Sequence, residues 1–148
     1  MENGSRKIFV NLAVENIDRA VEFFTQLGFT FDSRFTDEHG SGMIINGEAF
    51  VMLLEKDFFK GFIKKELSDS MNETETILAL SAESREQVDE LVHKALAAGG
   101  SPANDPMELD FMYGWSFQDP DGHLWEVFYM DPSAMQEEAR EKQGAMTS

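Results

Sequence analysis

The chain has 148 residues, no cysteine, and 28 acidic against 12 basic side chains, for a formal net charge of −16. Without cysteine there are no disulfides, thiolate metal sites or thiol nucleophile, and so negative a field repels nucleic-acid backbones and anionic membrane surfaces. A 42% apolar content at this length fits a single globular domain over 1–148. The longest unbroken apolar run is the six residues Ala49 to Leu54, too short for a secretory core or a membrane span, so a cytoplasmic protein is expected.

Lys7 to Val14 (KIFVNLAV) is rich in β-branched and aromatic residues and predicts a strand, stopped at Glu15-Asn16 by a helix cap. Ile17, Ala20, Val21, Phe24 and Leu27 then recur at helical spacing, with Asp18 in the first turn and Gly28 where a left-handed close is wanted. Strand-like stretches follow at Phe29 to Phe35, Gly42 to Ile45 and Ala49 to Glu55, the last two joined by the hairpin dipeptide Asn46-Gly47. These elements make a first module over 7–55.

Between Asp57 and Asp69, the residues Phe58, Phe59, Phe62, Ile63 and Leu67 fall on roughly one helical face, predicting a linker helix over 57–69. The bulky Phe58-Phe59-Phe62-Ile63 face must be buried, over a cavity mouth, in a dimer contact or on the subunit's own sheet. Thr76 to Ala82 predicts the next strand, and Ser84 with Gln87 forms a capping box before Val88, Leu91, Val92, Ala95 and Leu96 at helical spacing. After Gly99-Gly100 come strands near Met107 to Leu109 and at Met112 to Gln118, the turn Asp119-Pro120-Asp121-Gly122, and a strand from His123 to Met130. This second module covers 76–130, and a capping box at Ser133 to Gln136 opens a C-terminal helix over 133–143 before a frayed end at 144–148.

The two modules repeat the order β-α-β-β-β. Leu12-Ala13-Val14-Glu15 before one helix matches Leu80-Ser81-Ala82-Glu83 before the other, and Leu27-Gly28-Phe29 matches Ala98-Gly99-Gly100 after them. Each module has a sheet face that it cannot bury alone. An ordinary α+β sandwich with two similar halves stays open on periodicity alone.

The segments FVNLAVENIDRAVEFFTQLGF at 9–29 and DPDGHLWEVFYMDP at 119–132 resemble the glyoxalase, bleomycin-resistance and extradiol-dioxygenase group, the vicinal oxygen chelate superfamily. Over 7–132 the chain is similar to a lactoylglutathione-lyase-related group whose members mostly lack assigned activity. The resemblance implies an α+β fold of two βαβββ modules forming cupped mixed sheets around a cavity, commonly as a homodimer. It also implies metal-ligand positions, usually His or Glu, on the first and last strand of each module, and these fall on Phe9, Met52 give or take one residue, Ile77 and Glu126. Only Glu126 offers a donor, whereas a hard divalent ion needs several, so no metal cofactor is expected. A rebuilt site would need Asn11, Asp110, His39 or His123, and His123 lies three residues from Glu126, on the opposite side of a regular strand.

With cupped sheets, alternate residues face the cavity: Phe9, Asn11 and Ala13; Ile77, Ala79 and Ser81; Phe50, Met52 and Leu54; and Tyr113, Trp115 and Phe117 with Leu124, Glu126 and Phe128. The ligand-binding set expected from this pattern is Phe9, Asn11, Phe50, Met52, Ile77, Tyr113, Trp115, Phe117, Glu126 and Phe128, the same side chains being usable as ordinary core. An apolar wall with few polar groups suits a small organic ligand, cationic or aromatic. Glu126, flanked by Trp125, Val127 and Phe128, is costly to bury unpaired, which makes it the best single candidate for a general base or a cation anchor. The alternative is a structural carboxylate bonded to Asn11, Tyr113 or a backbone amide.

His39 and His93 are expected on the surface and His123 in a structural role within its turn. No Ser-His-Asp arrangement, nucleotide-binding glycine loop or HExxH stretch is present. Three functions therefore stand side by side: a metal-free binding protein of the bleomycin-resistance type, a lyase or isomerase with a rebuilt or metal-independent site using Glu126, and a non-catalytic scaffold.

Overall fold

Asn16 decides where the first strand ends. Its backbone is extended and its Oδ1 accepts the Arg19 N–H at 3.0 Å, so β1 (Ile8–Val14) passes at once into α1 (Ile17–Gln26). The computed structural model describes residues 6–147. After α1 come β2 (Thr30–Asp37), β3 (Gly40–Asn46) and β4 (Ala49–Glu55), in the sheet order β1-β4-β3-β2 with β4 returning parallel to β1. The short α2 (Lys56–Lys60) and an irregular linker lead to β5 (Ile77–Ser81) and α3 (Arg85–Ala97). The rest of the second module is β6 (Ser101–Pro102), β7 (Met107–Glu108), β8 (Met112–Gln118) and β9 (Leu124–Met130), in the order β5-β9-β8-β6 with β7 also paired to β8.

The second sheet repeats the first, since β9 lies parallel to β5 as β4 does to β1. The position of β2 is taken by two fragments, β6 and β7, around Pro102 and Pro106, which have no N–H to give to a continuous ladder. Gly28 and Gly99, after the two helices, both have positive φ, as the repeat requires. The expected mixed α+β architecture of two βαβββ units with a C-terminal helix is thus the observed one.

One apolar core serves both modules. Leu12, Val14, Met43 and Leu53 of the first sheet and Phe117, Trp125 and Val127 of the second are buried together with Phe23 and Phe24 of α1 and Val88 and Val92 of α3. The Phe24 ring lies 5.1 Å from Trp125 and Phe23 6.1 Å from Phe117, so α1 belongs to the core of both sheets. Each such side chain contributes about 1.5–3 kcal/mol through burial. Polar contacts fasten the same junction: Asp121 Oδ1 accepts from the Glu15 N–H at 2.8 Å and from Arg19 Nη2 at 3.0 Å, and His123 Nε2 lies 2.7 Å from the Ala13 carbonyl oxygen.

Two helices differ from expectation. The linker helix predicted over 57–69 is only α2, because Gly61 follows its last turn and a helix this short gains little from propagation. The C-terminal helix α4 (Pro132–Thr147) runs past the expected end at 143, and its cap is Asp131 rather than Ser133. Asp131 Oδ1 accepts from the N–H groups of Ser133 and Ala134 at 3.0 and 3.3 Å, with Pro132 in the first helical position. Ser148 of the expected frayed end lies outside the described residues. The other capping box forms, with Ser84 Oγ accepting the Gln87 N–H at 3.1 Å and Gln87 Oε1 accepting the Glu83 N–H at 2.8 Å. Among the described residues no helix is long and apolar enough to cross a membrane.

Candidate functional site

Strand pairing sorts the candidate residues by side. In the first sheet Phe9 pairs with Phe50, Asn11 with Met52 and Ala13 with Leu54, all on the side away from Leu12, Val14 and α1. In the second sheet Ile77 pairs with Leu124, Ala79 with Glu126 and Ser81 with Phe128, away from Leu78, Leu80 and α3. The long helices α1 and α3 lie on the other sides: Phe9 is 39% exposed and Ile77 54%, whereas Leu53 and Trp125, on the covered sides, are fully buried. Phe9 stacks on Phe50 at 4.9 Å, and Phe35 meets both edge-on, which buries Phe50 and leaves Phe9 as the accessible ring.

Tyr113, Trp115 and Phe117 were expected beside Glu126, and the structure places them on the other side. Across the β8–β9 turn Gln118 faces Leu124, which pairs Phe117 with Trp125, Trp115 with Val127 and Ser116 with Glu126. Paired residues point to the same side, so the three aromatics lie toward α3. Phe117 is fully buried, Trp115 meets His93 edge-on at 5.2 Å, and the Tyr113 hydroxyl donates to Asp89 of α3 at 2.5 Å. The bond to Asp89, helped by burial, holds the Tyr113 hydroxyl above the ordinary phenol range. The closing pair, Asp119 N–H to the His123 carbonyl, sets this parity, and counting outward from it would have found it.

Glu126 is half-buried, and its carboxylate makes no hydrogen bond or ion pair with any described residue. Two partners weighed for it are engaged elsewhere: Asn11 Nδ2 turns back to the Phe9 carbonyl at 3.3 Å, and Tyr113 binds Asp89. His123 is held to the Ala13 carbonyl. His39, expected to face solvent, is half-buried, stacked on Phe58 with ring centres 4.7 Å apart and 3.4 Å from Glu55.

A cavity of about 610 Å³ lies where the two sheets meet under the linker, with Asn11, Ala13 and Leu124 on the sheet side and Phe59, Ile63 and Leu67 on the linker side. Lys64, Lys65, Glu66, Glu73 and Glu75 bring both signs of charge to it. The Ser70 hydroxyl pins the linker by donating to the Asp121 carbonyl at 2.6 Å. The face expected over Phe58-Phe59-Phe62-Ile63 is therefore divided. Phe59 and Ile63 wall the cavity, Phe58 stacks on His39, and Phe62, expected to be buried, is 70% exposed.

The family model for the glyoxalase/bleomycin resistance protein/dioxygenase superfamily matches residues 8–127. The chain belongs to this superfamily. Among solved structures it is similar to a hypothetical protein from S. aureus, at 28% identity and a TM-score of 0.73 over 83% of this chain and 92% of that one. A glyoxalase/bleomycin resistance protein/dioxygenase family enzyme from Burkholderia phytofirmans PsJN shares 19% identity and a TM-score of 0.69, over 82% and 96% of the two chains. A glyoxalase-related enzyme from Fulvimarina pelagi shares 16% identity and a TM-score of 0.72, over 84% and 88%. No curated protein matches this chain.

The superfamily's metal positions can now be judged on their donors. Phe9 and Met52 lie on the open side of the first sheet, and Ile77 and Glu126 on that of the second, so all four sit where the repeat places them. A phenyl ring, a thioether and an aliphatic chain leave one carboxylate, and among the described residues no three His, Asp or Glu side chains converge on a point that could hold a metal. These residues do not fit a divalent ion.

Proposed function

We propose that this superfamily member binds a small organic molecule where its open sheet sides meet, without a metal, and with Glu126 as the charged anchor. The observation that carries the reading is the Glu126 carboxylate itself, which has no partner among the described residues and stands on a largely apolar strand face. It lies two residues beyond Leu124, which lines the cavity, so a molecule seated under the linker extends along the strand toward it over roughly 7 Å. A half-buried carboxylate on the same side of the second sheet as Ile77 and Phe128 favours a cationic or aromatic partner. Exposure of Phe9, Ile77 and Met130 on these faces supports a homodimer in which a second copy covers them.

Native mass spectrometry of the protein purified without chelator, with elemental analysis, tests the first part. A metal-free protein that takes up one organic cation per chain from a ligand screen is expected, and a stoichiometric divalent metal overturns the reading. Glu126→Gln should weaken that ligand about tenfold, or about 1.4 kcal/mol, and unchanged affinity removes Glu126 from the site. Size-exclusion chromatography with light scattering reads the dimer, and a monomer at micromolar concentration defeats that part.

A further inference from the structure

On the α1 side of the first sheet, away from Glu126, a second groove of about 590 Å³ runs between the start of α1 and the β2–β3 turn. Its rim carries six carboxylates: Glu15, Asp18, Glu22, Asp37, Glu38 and Glu55. Few cations answer them. Lys56 pairs with Glu15 at 2.8 Å, and His39 lies 3.4–3.7 Å from Glu55 and Glu38, while Asp18 and Glu22 form no ion pair among the described residues. The positive end of α1 opposes only part of this charge, about half an elementary charge, and Asn16 already caps it.

The groove also has a floor. Ile17 and Val21 are half-buried along it, and between the carboxylates sits Ser41, only 5% exposed. Two buried serines make a useful contrast. Ser116 Oγ accepts from the Asn104 N–H at 2.8 Å and lies 3.4 Å from the Asn104 carbonyl, whereas the Ser41 hydroxyl has no hydrogen-bond partner among the described residues. Its side chain bonds no described residue and its oxygen opens to the carboxylate-rimmed groove, where it is free to bond whatever the groove holds.

The arrangement selects among cations. No three of the carboxylates converge closely enough to hold a metal ion, so the negative charge is spread along the groove. Spread charge over an apolar strip matches several ammonium groups joined by methylene segments. We infer that this groove is a binding site for a linear aliphatic polyamine. Its ammonium groups lie against Asp18, Glu22 and the turn carboxylates, one of them within reach of Ser41, and its methylenes rest on Ile17 and Val21.

Isothermal titration calorimetry of the full chain with spermidine, in low and in physiological salt, tests this. One saturable site per chain is expected, weakening as salt is raised. Asp18→Asn with Glu22→Gln should lower the affinity about fivefold or more. Ser41→Ala should lower it with no loss of thermal stability, because the hydroxyl gives up no internal hydrogen bond. One control isolates the groove: Glu86→Gln with Asp105→Asn makes the same change in net charge on exposed residues elsewhere and should leave spermidine binding unchanged. Absence of a saturable site, equal weakening by the Glu86 and Asp105 pair, or displacement by magnesium at equal ionic strength as efficient as by putrescine would each overturn the assignment.

Discussion

The Trp125 indole N–H donates to Asp119 Oδ2 at 2.9 Å, while the other carboxylate oxygen of Asp119 accepts from the backbone of Asp121 and His123 at 2.9 and 3.1 Å. One carboxylate thus shapes the turn that sets the β8–β9 register and fixes the largest side chain of the core. The same turn carries Asp121, which binds Glu15 and Arg19 of the first module, so the turn and the joint between modules are one structure.

Asp119→Ala leaves the indole and the two backbone N–H groups without their acceptor, at a cost of about 1–3 kcal/mol. Burial holds the Asp119 carboxyl above the ordinary aspartate range, against the opposing pull of His123 and the Trp125 bond. The folded protein therefore keeps this proton to higher pH than the unfolded chain does. Its stabilising contribution is complete below the unfolded-state value and is lost as pH rises through the folded-state value. Urea midpoints of wild type and variant across acid to neutral pH should differ most in acid, and a gap that widens with rising pH contradicts this.

Gly122 has a φ of +85°, and a Cβ there would strike the Ser70 carbonyl and come within 2.8 Å of Met71 Cα. Gly122→Ala should cost about 2–5 kcal/mol through backbone strain and overpacking. Because the backbone it strikes is the linker, proteolysis between 61 and 75 should accelerate more than denaturation alone explains. Cleavage that only follows the global unfolding rate would show that the linker is not held at this point.

Tyr113→Phe removes the bond to Asp89 on the helix side of the second sheet and should cost about 1.5–3 kcal/mol, as for a hydrogen bond to a charged group. It should leave binding at the Glu126 face unaltered. A ligand response as large as that of Glu126→Gln would mean that the aromatic stripe of β8 reaches the ligand after all.

Phe62 is largely exposed and meets Phe58 edge-on at 5.2 Å, so Phe62→Ser should change stability by no more than about 0.5 kcal/mol. Phe59→Ala, by contrast, opens the wall of the cavity and should be read in ligand affinity before it is read in the melting temperature.

Much of the fold was legible because its signals are local. Asn16 and Ser84 cap the helices that follow them, Gly28 and Gly99 close those helices, and the two sets recur at matching places, which is enough to reveal a repeated βαβββ unit. The sides of β1 and β5 were legible for the same reason: each strand runs straight into its helix, and the alternate residues Leu12 and Leu78 must lie under cover. That put Phe9, Asn11, Ile77 and Glu126 on the open side. The resemblance supplied the metal positions at Phe9, Met52, Ile77 and Glu126, and the residue types there show how few donors they carry.

Only the tertiary structure decided the rest. On β8 the odd positions are large aromatics and the even ones are Met112, Gly114, Ser116 and Gln118, so either side can be imagined inward until the turn fixes the pairing. The larger rings then fill the space under α3. The linker looked helical because its apolar spacing is helical, yet its conformation depends on the Ser70 contact with a turn more than fifty residues away. The acidic groove draws on residues between 15 and 55 that no local pattern connects, and that the Ser41 side chain bonds no described residue becomes visible only when every neighbour is in place. Spacing along a chain encodes what a residue's near neighbours enforce. Which distant groups meet, and which are left without partners, is set by the packing of the two sheets against one core.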